Sequence, residues 1–206
     1  ERFPQFVTKT TMGEVGGYAF NRYRIAYYDI ENTSGFALKR FKIAMTTSIH
    51  GYEPGCAWTA AHFFKLMCEH PEDEILSFLL RNVVFEIVPL GNPCGFAKNI
   101  RTNGNGVDIN RNFPTDWVSV VPKGHSYYAG DTPSSEPETQ LLMQFVEKNT
   151  DADWFIDYHN RSKPLPLFYI QDEEHLQIAY SVFATLTHKW QKQYDKVEKD
   201  RILGFV

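Results

Sequence analysis

Lys42-Ile-Ala-Met-Thr-Thr-Ser-Ile-His50-Gly-Tyr-Glu53-Pro54-Gly55 is an apolar run of strand character that stops at a histidine, with a glutamate three residues on. Two good metal ligands therefore sit where a strand ends. In open α/β sheets, ligands and catalytic groups collect at the carboxyl ends of strands, and a short loop there can turn an imidazole and a carboxylate toward one point. Pro54 suits the first turn of a following helix.

Upstream, residues 1–21 are mixed, and Met12-Gly-Glu-Val-Gly-Gly17 reads as a loop. Residues 22–30 predict a strand, 31–35 a turn and 38–49 a second strand, so that a hairpin leads into the histidine. Downstream, residues 54–69 carry Trp58, Phe63, Phe64, Leu66 and Met67 at near-helical spacing, and 72–80 repeat the pattern in a shorter helix. Residues 83–90 predict the next strand. The order β-β-α-α-β favours a mixed sheet covered by helices.

From 91 to 134 periodicity fades while Gly, Asn and Pro abound, and a loop of that length in a compact domain is usually functional. Ser135-Glu-Pro-Glu138 then reads as a capping box, Ser at the N-cap and Glu at N3, for a helix running to 149 with Leu141, Leu142, Phe145 and Val146 apolar. Trp154-Phe-Ile-Asp-Tyr-His159 is a short apolar strand that also ends on a histidine. Residues 165–170 predict another strand, and 173–197 a long helix with Ile178, Phe183, Leu186 and Trp190 inward.

Composition bounds the function. A chain of 206 residues, 43% hydrophobic and 15% aromatic, can bury a substantial core in one domain. Its net charge of -4 gives no reason to expect nucleic acid or an anionic membrane surface as the main partner. No stretch approaches the ~18 apolar residues of a membrane span, and the start has no signal-peptide apolar core. The first residue is Glu1, so a trimmed N-terminus is expected and the sequence leaves localisation and oligomeric state open. Cys56, Cys68 and Cys94 are an odd count, two of them on one predicted helix, and read as reduced and packed.

His50, Glu53 and His159 form the ligand set of a catalytic zinc: two imidazoles and a carboxylate leave a fourth tetrahedral position open, whereas structural zinc fills all four. Alone, His159 reads most simply as a satisfied histidine at a strand edge. The loop changes that reading. Arg101-Thr-Asn-Gly-Asn-Gly106 followed by Val107-Asp-Ile-Asn-Arg-Asn-Phe113 puts two arginines and several amides in one irregular segment. Such groups fix a carboxylate and polarise a carbonyl.

His50-Gly-Tyr-Glu53, the segment 101–113, Ser135-Glu-Pro-Glu-Thr139 and Ile156-Asp-Tyr-His159 together resemble the zinc metallocarboxypeptidases, the family of carboxypeptidases A, B and D, over about residues 40–160. The Gly-Val-Asp-Ile-Asn-Arg-Asn-Phe-Pro form is similar to bacterial and phage members, some of them cell-wall or virion enzymes. The resemblance implies an α/β fold with a twisted mixed β-sheet flanked by helices, of the phosphorylase/hydrolase-like kind. It implies hydrolysis of a C-terminal peptide bond with one zinc per chain held by His50, Glu53 and His159. By the same resemblance Arg101 holds the oxyanion, Asn110 and Arg111 grip the substrate's terminal carboxylate, and Asp108 orients His50. Asp157 reads as structural.

The resemblance also brings a departure. The family's general base is a glutamate farther beyond the third ligand than the residues after His159 allow. Glu173, Glu174 and Glu198 are available carboxylates but fall on the predicted long helix. The expectation is therefore a single catalytic domain over 1–206 that stops before its last strands. Two other readings stay open. One is a related hydrolase, either a zinc amidohydrolase or deacylase or a peptidase of peptidoglycan stem peptides, again on substrates with a free carboxylate. The other is a non-catalytic metal-binding or virion structural module.

Overall fold

The computed structural model describes residues 3–26 and 40–160, together with position 177. The expected turn at 31–35, strand at 165–170 and helix at 173–197, with Glu173, Glu174 and Glu198, lie outside the described residues. The chain divides into two compact units, Glu1–Asn160 and Arg161–Val206.

The first unit opens with a hairpin, β1 (Val7–Val15) against β2 (Tyr18–Ile25), antiparallel. This corrects the loop expected at Met12 to Gly17. Gly16 and Gly17, at φ 55° and 81°, form the tight connection, a two-residue turn that needs positive φ at both positions. A register shift between Thr11 and Gly13 marks a bulge that lets β1 continue to Val15. Two local devices made a strand look irregular.

The remaining elements of the unit are β3 (Phe41–Thr47), α1 (Pro54–Glu69), α2 (Glu74–Asn82), β4 (Val83–Val88), α3 (Pro93–Lys98), α4 (Pro137–Glu147) and β5 (Trp154–Tyr158). The sheet order is β1-β2-β4-β3-β5, with β3 parallel to both β4 and β5. Thus β2 and β3 do not form the expected hairpin. β4 lies between them, because β3 is carried back to the sheet through α1 and α2 in a parallel crossover rather than by a turn.

Both faces of the sheet are covered. Phe85, Ile87 and Val83 of β4 pack with Phe64, Met67 and Cys68 of α1 and Leu80 of α2. On the other face Ala44 and Val88 pack with Phe20, Ile109 and, from α4, Leu142 and Phe145. A strand buried on both sides reads as a nearly continuous apolar run, and the exception within β4, the buried Glu86, pairs with Arg22 of β2 at 2.9 Å. α1 turns Cys56, Ala57, Ala60, Phe64 and Met67 inward. Trp58, two positions after Cys56 and so about 200° around the helix from it, is 67% exposed rather than part of the buried face. Phe63 is exposed as well. The three cysteines are free and buried. Among the described residues no helix is long and apolar enough to cross a membrane.

The segment from 91 to 134 is irregular but not structureless: it contains α3 and a 3-10 turn at Ile109–Arg111. Buried asparagines hold it together. Asn92 caps α3 by accepting from the Gly95 N–H at 2.8 Å. Asn112 donates to the Ala129 carbonyl (2.8 Å) and the Ser135 hydroxyl (3.0 Å) while accepting from the Glu136 N–H. Asn103 accepts from the Asn105 and Val107 N–H groups and donates to Glu136 (2.7 Å) and Glu138 (3.0 Å).

The same network explains why the expected capping box is absent. Pro137 takes the first helical position and makes the residue before it extended, so Glu136 (ψ 136°) is the N-cap. Ser135, displaced from the cap, hydrogen-bonds Glu136 Oε1 at 2.7 Å. The helix ends at Glu147, two residues short of the expected 149.

Burial pushes the Glu138 carboxyl up, and the neighbouring Glu136 charge adds to the rise against the lowering by Asn103. A carboxyl whose folded pKa is raised contributes stability that is full below its unfolded value and is lost as pH rises through the folded one. Glu138→Gln keeps an acceptor for Asn103 without the charge. The expected outcome is a variant more stable than the parent at pH 8, with the advantage shrinking toward pH 4.5, read from urea midpoints at the two pH values.

Candidate metal centre

β3 and β5 are parallel neighbours, so their carboxyl ends emerge side by side, one leading to His50 and the other to His159. Beyond β3 the chain turns sharply. Ser48 adopts φ 53°, and Glu53 N–H donates to the His50 carbonyl at 3.1 Å. Gly51 lies against the backbone of α3, where an added Cβ would fall 1.9 Å from the Gly95 carbonyl carbon. Glu53 is the N-cap of α1, yet its side chain makes no capping bond. Its carboxylate is drawn to the two histidines instead.

Glu53 Oε1 lies 3.0 Å from His50 Nδ1, and Glu53 Oε2 lies 3.0 Å from His159 Nδ1. The Asn160 N–H also donates to Oε2, at 3.1 Å. One ligand atom from each of His50, Glu53 and His159 falls within 4.8 Å of the others, and the first two residues are buried. The far nitrogens are engaged as well: His50 Nε2 is 3.2 Å from Asp108 Oδ1, and His159 Nε2 is 2.7 Å from Asp157 Oδ2. With Nε2–H donated to a carboxylate, each ring keeps its Nδ1 lone pair for the centre, which is the arrangement of metal-ligating histidines. Three carboxylates against the single Arg101 guanidinium leave a net double negative charge when both rings are neutral, which suits a divalent cation.

Asp108, fully buried, is the hub. Its Oδ1 also accepts from the Asn110 N–H at 3.1 Å, and its Oδ2 takes Arg101 Nε and Nη2, each at 2.8 Å. Burial pushes the Asp108 carboxyl up, but the His50 hydrogen bond and the Arg101 charge outweigh it and leave it below the usual range. Glu53 is likewise held low: burial raises it, and the bonds from His159 and His50 more than reverse this. For His159, burial favours the neutral ring, yet Asp157 and Glu53 raise its pKa to about 9. Arg101 is further fixed by the Tyr52 hydroxyl at 3.1 Å and by the Tyr127 ring, 4.5 Å from its central carbon.

The structure therefore joins His50, Glu53, His159, Asp108 and Arg101 in one hydrogen-bonded chain. Asn110 enters it through its backbone, whereas the exposed Arg111 bonds the Asn110 carbonyl at 2.9 Å. Asp157, read from the sequence as structural, stands directly on a candidate ligand. Its place two residues before His159 on a strand, hence on the same face, was the available signal. Tyr52 and Tyr127 had none, since their meeting depends on how the 91–134 segment folds back.

A family model described as zinc carboxypeptidase matches residues 1–202. The chain belongs to the zinc carboxypeptidase family. Among the family's relatives, murein peptide amidase A of Escherichia coli K12 is 36% identical over 98 residues, covering 42% of this chain and 38% of that protein. Carboxypeptidase A4 of Mus musculus is 26% identical over 185 residues, covering 79% of this chain and 42% of that protein. The zinc carboxypeptidase fold itself is shared with carboxypeptidase A of Helicoverpa armigera: the TM-score is 0.64 at 21% identity, over 85% of this chain and 47% of that one. The chain spans about two-fifths of the length of these two curated relatives. The mixed sheet flanked by helices is as the sequence motifs implied.

Because the Gly51–Gly95 approach is backbone on backbone, no rotamer change can relieve a methyl there. Gly51→Ala is expected to destabilise the chain by at least the roughly 1–3 kcal/mol typical of overpacking, measured as a drop in urea midpoint. Ala at Gly104, where an added Cβ meets only Cys94 at an ordinary 3.6 Å, is the mild control.

Proposed function

We propose that residues 1–206 act as one catalytic domain that hydrolyses a C-terminal peptide bond, with His50, Glu53 and His159 holding one zinc per chain. The observation that carries this reading is the orientation of the two rings, each turning Nδ1 to Glu53 while its Nε2 is tied to a separate carboxylate. When bound, the ion would supply Lewis-acid polarisation of the substrate carbonyl and a lowered pKa for water.

The protein's own groups do the rest. Asp108 accepts from Nε of Arg101 and pairs with Nη2 as an ion, and Tyr52 accepts one N–H of Nη1, which leaves the guanidinium with N–H donors that no described hydrogen bond uses. Held in place before substrate arrives, those donors receive the negative charge that develops on the carbonyl oxygen without reorganising first. Arg111, exposed and bonded only through Nη1 to its neighbour's carbonyl among its described hydrogen bonds, offers a fork for the substrate's terminal carboxylate, with the Asn110 amide beside it. Among the described residues, the carboxylates at the centre, Glu53, Asp108 and Asp157, are each committed to an imidazole. Proton delivery to the leaving amine therefore falls to another group.

A second substrate reading has its own support. The relative with the highest identity quoted above is named a murein peptide amidase, and a peptidoglycan stem peptide carries the same terminal carboxylate for Arg111 to grip. Peptides with free and amidated C-termini, assayed beside stem peptides, separate the readings.

The wild-type chain is expected to bind about one zinc by elemental analysis and His50→Ala to lose it; full zinc in that variant would overturn the ligand assignment. Arg101→Ala should lower kcat roughly 10²- to 10³-fold, as for loss of an oxyanion donor. Arg111→Ala should chiefly raise KM for free-carboxylate substrates, because its contact is the same in ground and transition states. Equal loss of kcat at unchanged KM in both variants would sink this division of roles.

A further inference from the structure

We propose that Asp157, clamped by Thr46, is a positioning residue for His159, forming a second carboxylate support beside the Asp108–His50 pair. The inference rests on the reading that His50, Glu53 and His159 hold the metal. It goes beyond that reading by assigning work to two residues outside the ligand set.

The geometry begins with the sheet. β3 and β5 are parallel, and Thr46 and Asp157 are register partners. Thr46 is almost fully buried, and its hydroxyl donates to Asp157 Oδ1 at 2.9 Å. The other carboxylate oxygen lies 2.7 Å from His159 Nε2. Two oxygens with two partners, one on β3 and one just past the end of β5, leave the carboxylate one orientation. That orientation ties Nε2 of His159 to Asp157 and turns Nδ1, 3.0 Å from Glu53 Oε2, toward the centre as the nitrogen a metal ion would take.

His159 needs such support more than His50 does. The His50 side chain is 5% exposed and its partner Asp108 is buried completely, whereas the His159 side chain is 24% exposed and that of Asp157 is 34% exposed. Burial and a fully enclosed carboxylate partner hold the first ring. The second sits one residue past the end of β5, where the backbone ladder has stopped and solvent reaches the ring. The link from Thr46 through Asp157 extends the order of β3 across to this position. A mere cross-strand pair would need only the Thr46–Asp157 bond and would leave the second oxygen to water.

The test measures zinc affinity of the full 206-residue chain by competition with a chromophoric chelator. Asp157→Ala should weaken binding roughly 10- to 100-fold, the range for removing such an outer partner. Asp157→Asn, whose amide oxygen can still accept from Nε2, should fall between that and wild type, and Thr46→Val should lose a smaller factor. In a His159→Ala background, Asp157→Ala should cause no further loss, which a purely structural role would not predict. The inference is overturned if folded Asp157→Ala binds zinc as wild type does, or if its loss persists undiminished in the His159→Ala background. Should Asp157→Ala fail to fold, wild-type affinity in both Asp157→Asn and Thr46→Val overturns it equally. A wild-type chain that binds no zinc, or a His159→Ala variant that keeps full affinity, overturns the metal reading as well, so the two failures are distinct.

Discussion

The carboxylate of Asp108 is the interaction on which the centre depends. A fully buried charge is tolerable only when it is paired and hydrogen-bonded, and here one oxygen serves His50 and the Asn110 N–H while the other takes a hydrogen bond and an ion pair from Arg101. The pairing binds a strand end to a loop. His50 follows β3 and Arg101 follows α3, and neither side chain would be fixed without the buried charge between them. Asp108 is itself held by its backbone, whose N–H donates to the Tyr128 carbonyl at 2.8 Å.

Around that point the fold supplies placement in two ways. Parallel pairing of β3 with β5 puts the two histidines at adjacent strand ends, as is general for sites in open α/β sheets. The 91–134 segment then brings the arginine, and three asparagines make its irregular path rigid by meeting backbone groups that no helix or strand satisfies. The backbone contact of Gly51 with Gly95 couples the two, since the turn after β3 and the helix before Arg101 can approach this closely only where residue 51 carries no side chain.

Electrostatically the centre is built for a cation that the side chains by themselves do not provide. Glu53 forgoes its helix cap to face two imidazoles, and each imidazole is backed by a further carboxylate. The surplus negative charge is met partly by raising the pKa of His159. Such a design favours a divalent ion over a structural hydrogen-bond network, for which one carboxylate per ring would suffice. Membership of the zinc carboxypeptidase family accords with this chemistry.

Much of this was legible in the residues. The two strands that end on histidine, His50-x-x-Glu53, and the Arg101 to Phe113 segment pointed to the candidate ligands, the arginines and Asp108, because ligand type and loop chemistry are local properties that survive in one dimension. The elements β3, α1, β4 and β5 were legible for the same reason, each being a stretch of one apolar pattern bounded by turn or capping residues. What the sequence could not decide was pairing. That β4 lies between β2 and β3 follows from covering both sheet faces, and that Asp157 meets Thr46 and His159 follows from a strand register set over the whole sheet. The hairpin glycines and the cap at Glu136 went unread although their causes are local, a turn with positive φ at both positions and the steric effect of Pro137 on the residue before it; the outward Trp58 went unread because an apolar side chain at helical spacing does not by itself show which face packs. Composition and motif fixed which chemistry this protein can hold; only tertiary packing decided which groups stand behind it, because a buried charge finds its partner in space and not along the chain.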